Sequence, residues 1–155
     1  MTSTDYRREI EGAAHEHGLD PNLVEAVVIC ESSGRTDAFR FEPGFYERYL
    51  KGRPQWAKQN PRRIASSYGL MQVMWTTAVE NGFHEPEPEY LFIPVKGLDA
   101  GCFHLAKLVE WADGDVLKAL AAYNGGQGNW MGGQAQLYSK KVNRVLEEIQ
   151  KARRK

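Results

Sequence analysis

Charge of one sign, cysteine and long apolar runs are all scarce in this sequence, and each shortage removes a class of function. Twenty basic and twenty acidic side chains cancel, so no global field makes nucleic acid or an acidic membrane an obligatory partner. The basic end "KARRK" reads as a solvated tail, with adhesion to a polyanionic envelope as the other reading. No uninterrupted apolar stretch approaches a membrane span, and the opening "MTSTDYRREIEGAAHEHG" lacks the apolar centre of a signal peptide. The expectation is synthesis in the cytoplasm, without an export signal or an obligatory membrane anchor. Only two cysteines occur, Cys30 and Cys102, each within an apolar helical pattern. That setting favours buried free thiols over a disulfide framework and leaves a single bridge between them open. "HEH" at residues 15–17 lacks the four-residue stagger of a zinc helix.

Period-two alternation is missing as well, together with internal repeats and low-complexity stretches, so the chain is expected to be all-α, or α with a minor β element. Its 155 residues suit a single domain, residues 1–155, with monomer the default state. Tyr6, Ile10, Ala13, Ala14 and His17 recur at helical spacing and give a first helix. Asp20 followed by Pro21 is an N-cap with proline at the first helical position, and Gly34 is a stop, so a second helix runs from Pro21 to about Ser33. That helix is apolar nearly all round, which marks it as buried.

Residues 35–67 mix aromatics, prolines and charges, and read as a long irregular excursion with short helical turns. "GLMQVMWTTAVENG" suggests a further helix ended by Gly82, and "HEPEPEYLFIP" a loop. Val95, Leu98, Cys102, Leu105 and Val109 define an amphipathic helix, and Asp115 is placed to cap the buried "VLKALAAY". The glycine-rich "NGGQGNWMGGQ" forms a loop before a last helix with Tyr138, Val142, Val145, Leu146 and Ile149 on one face.

Glu31, in "VVICESSG", stands at the end of the apolar second helix and on its inward side. Burial and the helix dipole both disfavour its charge, the tuning that a general acid at neutral pH needs. Local sequence alone favours a solvent-facing glutamate or a pair with Arg35.

Three ordered motifs decide the weighting. "ESSG" at residues 31–34, "YGLMQVMWTTA" at 68–78 and "ALAAYNGG" at 119–126, with Tyr138 in the terminal helix, resemble the catalytic domain of soluble lytic transglycosylases and goose-type lysozymes. The resemblance implies a lysozyme-like α fold with a substrate groove, acting on peptidoglycan glycan strands at the β-1,4 bond between N-acetylmuramic acid and N-acetylglucosamine. Glu31 then matches the catalytic acid. In the non-hydrolytic route it protonates the leaving oxygen and afterwards, as carboxylate, takes the proton of the muramic C6 hydroxyl, closing a 1,6-anhydro ring. A single carboxyl suffices there, in contrast to the usual glycosidase pair. No metal or organic cofactor is implied.

The remaining candidates each carry two readings. Ser32 could bond the sugar or make a helix-terminal turn. Gln72 suits an N-acetyl group or a sugar hydroxyl, and Met71 a groove wall, while Leu70 reads as core. Tyr123 could hold Glu31 or the substrate, and Asn124 could bond a sugar amide or serve the "NGG" turn. Tyr138 could bond the acid or pack the last helix, and Trp130 is a candidate aromatic platform for a sugar face.

Two departures from the family pattern stand out. Trp75 occupies the usual place of a proline, so the helix of "GLMQVMWTTA" could run on without a kink. The excursion containing "FRFEPGFYERYL" resembles compact bacteriophage and prophage variants, which implies action on the wall after phage-type release or as a virion component. Its Glu42 could orient a water and make the outcome hydrolytic, as in a lysozyme, or simply pair with Arg40 or Arg48. The competing class is a non-catalytic peptidoglycan-binding or virion structural module.

Overall fold

The computed structural model describes residues 4–154. Its helices are α1 (Arg7–Glu16), α2 (Pro21–Ser32), the short α3 (Pro43–Phe45) and α4 (Pro61–Ile64), α5 (Trp75–Glu80), α6 (Pro94–Trp111), α7 (Val116–Gly125) and α8 (Gly133–Arg153). Three short strands, β1 (Phe39–Phe41), β2 (Ser66–Tyr68) and β3 (Val73–Met74), form an antiparallel sheet in that order. The all-α expectation with a minor β element therefore holds. No helix among the described residues is long and apolar enough to cross a membrane.

Helix α2 begins and ends where its sequence signals stand. The Asp20 carboxylate accepts the Asn22 N–H at 2.9 Å, and Pro21 fills a first-turn site that needs no donor. At the other end Ser33 (φ 55°) and Gly34 (φ 80°) turn left-handed, so the chain leaves the helix one residue after Ser32. Between these caps Leu23, Val24, Ala26, Val27 and Val28 are all buried. They share one core with Ile10 and Ala14 of α1, Leu98, Cys102 and Leu105 of α6, and Val142 and Ile149 of α8. Helix α8 packs along both α7 and α2, which brings the end of the chain beside the acid-bearing helix. Asp115 caps α7 through the Lys118 N–H at 3.1 Å.

A buried charge lies within that apolar packing. Glu25 of α2 is 1% exposed, with Arg7 of α1 at 2.7 Å and Arg153 of α8 at 3.6 Å. Arg7 also donates to the Asn22 side chain at 2.9 Å. Burial of a carboxylate demands such partners, and here they join three helices. Most of the basic "KARRK" end is thus continuous with α8, and Arg153 faces Glu25; Lys155 lies outside the described residues.

The sheet is where structure and sequence part. Residues 35–67 contribute β1 and most of β2, paired Phe39 to Tyr68, Arg40 to Ser67 and Phe41 to Ser66. The expected single helix over "GLMQVMWTTAVENG" is corrected: residues 69–72 form a turn, β3 follows, and α5 starts only at Trp75. Gly69 (φ 78°) and Gln72 (φ 51°) are both left-handed, which no helix tolerates in sequence. Trp75 occupies the first helical position rather than an interior one, so no kink was there to avoid. Its indole N–H is buried without a hydrogen-bond partner among the described residues, and the ring packs 5.6 Å from Trp56.

Glycine is required at this turn for a second reason. A Cβ on Gly69 or on Gly97 of α6 would come within 2.5 Å of the Leu91 carbonyl oxygen. Gly101, one turn further along α6, leaves the space that the Met71 side chain fills. The turn that carries Met71 and Gln72 is thereby pressed against α6.

Candidate active site

Helix α2 delivers Glu31 in its final turn, and the two neighbouring elements fix what surrounds it. The Ser32 hydroxyl, 4% exposed, lies 2.8 Å from the Leu70 carbonyl and 3.1 Å from that of Val28, and accepts the Gly34 N–H at 3.2 Å. With one proton to give, it ties the end of α2 to the turn after β2. Ser32 is therefore a buried strut, and the sugar-binding reading is corrected.

From the opposite side, α8 brings Tyr138, whose hydroxyl donates to Glu31 Oε2 at 2.7 Å. Oε2 being taken, Oε1 is the atom left to carry a proton or meet a ligand. The Tyr138 ring stacks on Tyr123 of α7, with centroids 6.5 Å apart and planes within 11°. The Tyr123 hydroxyl does not reach Glu31; it donates to the Met71 carbonyl at 2.6 Å. Met71 is fully buried, with its sulfur 4.0 Å from the Cys102 thiol, so it is core and not groove wall. Tyr123 and Met71 thus anchor the wall behind the acid.

Gln72 is partly exposed, and its amide nitrogen lies 3.0 Å from the Ala38 carbonyl and 3.1 Å from that of Gly69. The donor end holds the turn to Ala38, just before β1, which leaves the side-chain oxygen as the group available to a ligand. Asn124 is exposed in the last turn of α7, with no side-chain hydrogen bond among the described residues. Trp130 is engaged elsewhere: Lys118 Nζ stands 4.8 Å from its ring centre and 4.8 Å from that of Trp111. Its indole packs on the cluster of Leu108, Ala112, Ala119 and Ala122 and is only partly buried, so it is a packing element of that cluster.

Burial pushes the Glu31 carboxyl up to about 7, against the Tyr138 hydrogen bond and the charges of Arg40 and Lys141, which lower it; Glu42 adds a smaller upward push. A carboxyl raised towards neutrality is suited to give up a proton and take one back in the same cycle. The Arg35 alternative does not occur; Arg35 makes no ion pair among the described residues. Tyr138 and Tyr123 both have pKa values raised well above the usual phenol range, by burial first and then by the Glu31 charge. Each therefore stays a donor. Glu42 pairs with Arg40 at 3.2 Å and is 39% exposed.

Arg40 and Lys141 are the residues near the acid that sequence reasoning missed. The signal for Lys141 was its spacing, three residues beyond Tyr138 on one helix face. Cys30 and Cys102 are both free thiols, each with its pKa raised by burial. Away from the acid, His17 meets Asp99 at 2.7 Å, with Glu16 close enough for the three donor atoms to lie within 4.8 Å of one another on an exposed surface. His17 is paired across to α6, not with His15.

Comparison with known proteins bears on the fold and the family. An inactive mutant of the lytic transglycosylase Slt from Pseudomonas aeruginosa has the same fold, with a TM-score of 0.70 and 19% sequence identity. The similarity covers 91% of this chain but 23% of that one, so the chain spans under a quarter of the length of that transglycosylase. Residues 8–145, which include Glu31, the turn at 69–72, Tyr123 and Tyr138, match the family model of the transglycosylase SLT domain, and the chain belongs to that family.

Proposed function

We propose that this domain cleaves the β-1,4 bond between N-acetylmuramic acid and N-acetylglucosamine of peptidoglycan by the non-hydrolytic route. One observation carries the reading: Glu31 is a largely desolvated carboxyl held at Oε2 by Tyr138 and tuned to about 7. Oε1 gives its proton to the glycosidic oxygen as the bond breaks. The carboxylate left behind then takes the proton of the muramic C6 hydroxyl, whose oxygen closes on C1. The proton lost in the first step is regained in the second, so no second enzyme carboxylate is required. Tyr138 keeps Glu31 aimed throughout, and the Gln72 side-chain oxygen is available to an N–H or hydroxyl of the sugar.

The hydrolytic reading has one specific support, because the charge of Glu42 is felt at Glu31. Against it, Glu42 is half-exposed and already paired with Arg40, a poor setting for a base that must hold a water. A binding module would have no use for a carboxyl kept partly protonated. The setting that goes with the reading is the cell wall, reached by phage-type release or in a virion. Glu31→Gln tests the assignment: glycan binding persists and turnover is lost, whereas cleavage near the native rate would remove Glu31 from the role.

A further inference from the structure

Two cations stand close enough to Glu31 for their charges to act on it, and neither helps it as an acid. Arg40 and Lys141 both favour its carboxylate form, so they oppose the protonated form from which cleavage starts. Their presence calls for a use other than tuning. Alternation along β1 accounts for Arg40: Phe39 and Phe41 turn to the face where Arg62 covers their rings at 5.5 and 5.1 Å, and Arg40 turns to the other. Lys141 follows Tyr138 by three residues on α8, near the side from which Tyr138 reaches the acid. The two cations therefore approach from different walls, one from the sheet and one from the helix.

Both are open to solvent, Arg40 at 75% exposure. Arg40 touches Glu42 through Nε alone, and neither its terminal amino groups nor Lys141 has another ion-pair partner among the described residues. The sugar rings of a glycan strand are neutral. Its peptide stems, attached to the muramic residues beside the cleaved bond, carry carboxylates.

We propose that Arg40 and Lys141 form a two-sided clamp for the carboxylates of the peptide stems, so that the domain prefers strands bearing free stem carboxylates over uncharged ones. The proposal rests on the peptidoglycan reading above. A guanidinium's two terminal amino groups suit a carboxylate bidentately, and the ammonium supplies a second, more adaptable point charge. Occupation of the clamp also acts on the acid. A carboxylate seated there cancels the two fields that draw the proton off Glu31, so correct binding favours the protonated form. The other groups facing Glu31 are Tyr138, Tyr123, Cys30 and Glu42, and only Glu42 is an anion that would resist the incoming carboxylate. Its existing bond to Arg40 Nε limits that resistance.

The test uses one preparation of peptidoglycan strands in two forms, native and with its carboxylates converted to neutral amides by carbodiimide and ammonia. Wild-type protein is expected to cleave the native form with kcat/KM about tenfold or more above the amidated form, the order that one charge-assisted hydrogen bond supplies. The double variant R40Q/K141Q should lose that preference through a rise in KM on native strands, while R40K/K141R retains most of it. The alkaline limb of kcat should lie at higher pH on native than on amidated strands for the wild type, and coincide for the double variant. Equal cleavage of both forms by the wild type overturns the clamp alone. So does an equal loss on both forms in R40Q/K141Q, which would mean that the cations act only through Glu31. Cleavage of neither form by the wild type overturns the activity itself, and the clamp with it.

Discussion

The Tyr138 hydroxyl donates to Glu31 Oε2 at 2.7 Å across 107 residues of sequence, and this bond opposes the burial that otherwise governs the acid. Desolvation raises the carboxyl, the hydrogen bond lowers it, and the balance falls at about 7. Tyr138→Phe should therefore move the alkaline limb of the pH profile upward, because the interaction that favours the carboxylate is gone. It should also lower kcat by about 10- to 100-fold through loss of aim, with a smaller effect on KM. Rate profiles from pH 5 to about 9 check both effects.

A raised carboxyl in the folded state has a stability cost of definite sign. The penalty is absent below the unfolded value near 4.5, grows as pH rises, and is complete above about 7. Glu31→Gln should thus leave stability nearly unchanged at acid pH and raise it at alkaline pH, by up to about 3 kcal/mol. Urea unfolding of both proteins at the two extremes measures the difference; a variant less stable than wild type at alkaline pH would contradict the desolvation argument.

Glu25 is a buried, ion-paired acid whose removal should be destabilising. Its partners Arg7 and Arg153 join α1 and α8 to the helix that bears the acid. Glu25→Ala leaves the half-buried Arg7 with Glu11 and Asn22 but without its nearest partner, and is expected to cost about 2–3 kcal/mol in urea unfolding. A loss under about 1 kcal/mol would place the pair among the weak surface bridges.

Trp130→Ala separates a packing role from a substrate role. With Lys118 between Trp130 and Trp111, the substitution should lower stability by about 1–3 kcal/mol and leave KM for glycan strands nearly unchanged. A severalfold rise in KM at unaltered stability would assign it the sugar-platform role instead.

What could be read from the sequence was what local chemistry controls. Asp20 and Pro21 fix where α2 begins, the "SSG" run fixes where it ends, and Asp115 caps α7 as its position requires. The turn at residues 69–72 escaped because "GLMQVM" is apolar in the manner of a helix, while its conformation depends on pairing with β2 and on the Leu91 carbonyl pressed against Gly69. The sheet escaped for a related reason: strands of two and three residues carry no period of their own. At the site, Glu31 and Tyr138 meet, which was one of the two readings open to Tyr138. Ser32, Met71 and Tyr123 turned out to spend their polar atoms or bulk on holding the wall behind the acid, contacts that only the packing of α2, α6 and α7 against the turn creates.

The central claim is that Glu31 alone serves as acid and then as base, with the muramic C6 hydroxyl as the nucleophile. Mass spectrometry of muropeptides released from purified peptidoglycan addresses it directly. The account predicts products ending in 1,6-anhydromuramic acid; products that carry only reducing ends, heavier by one water, would contradict it and assign the reaction to hydrolysis.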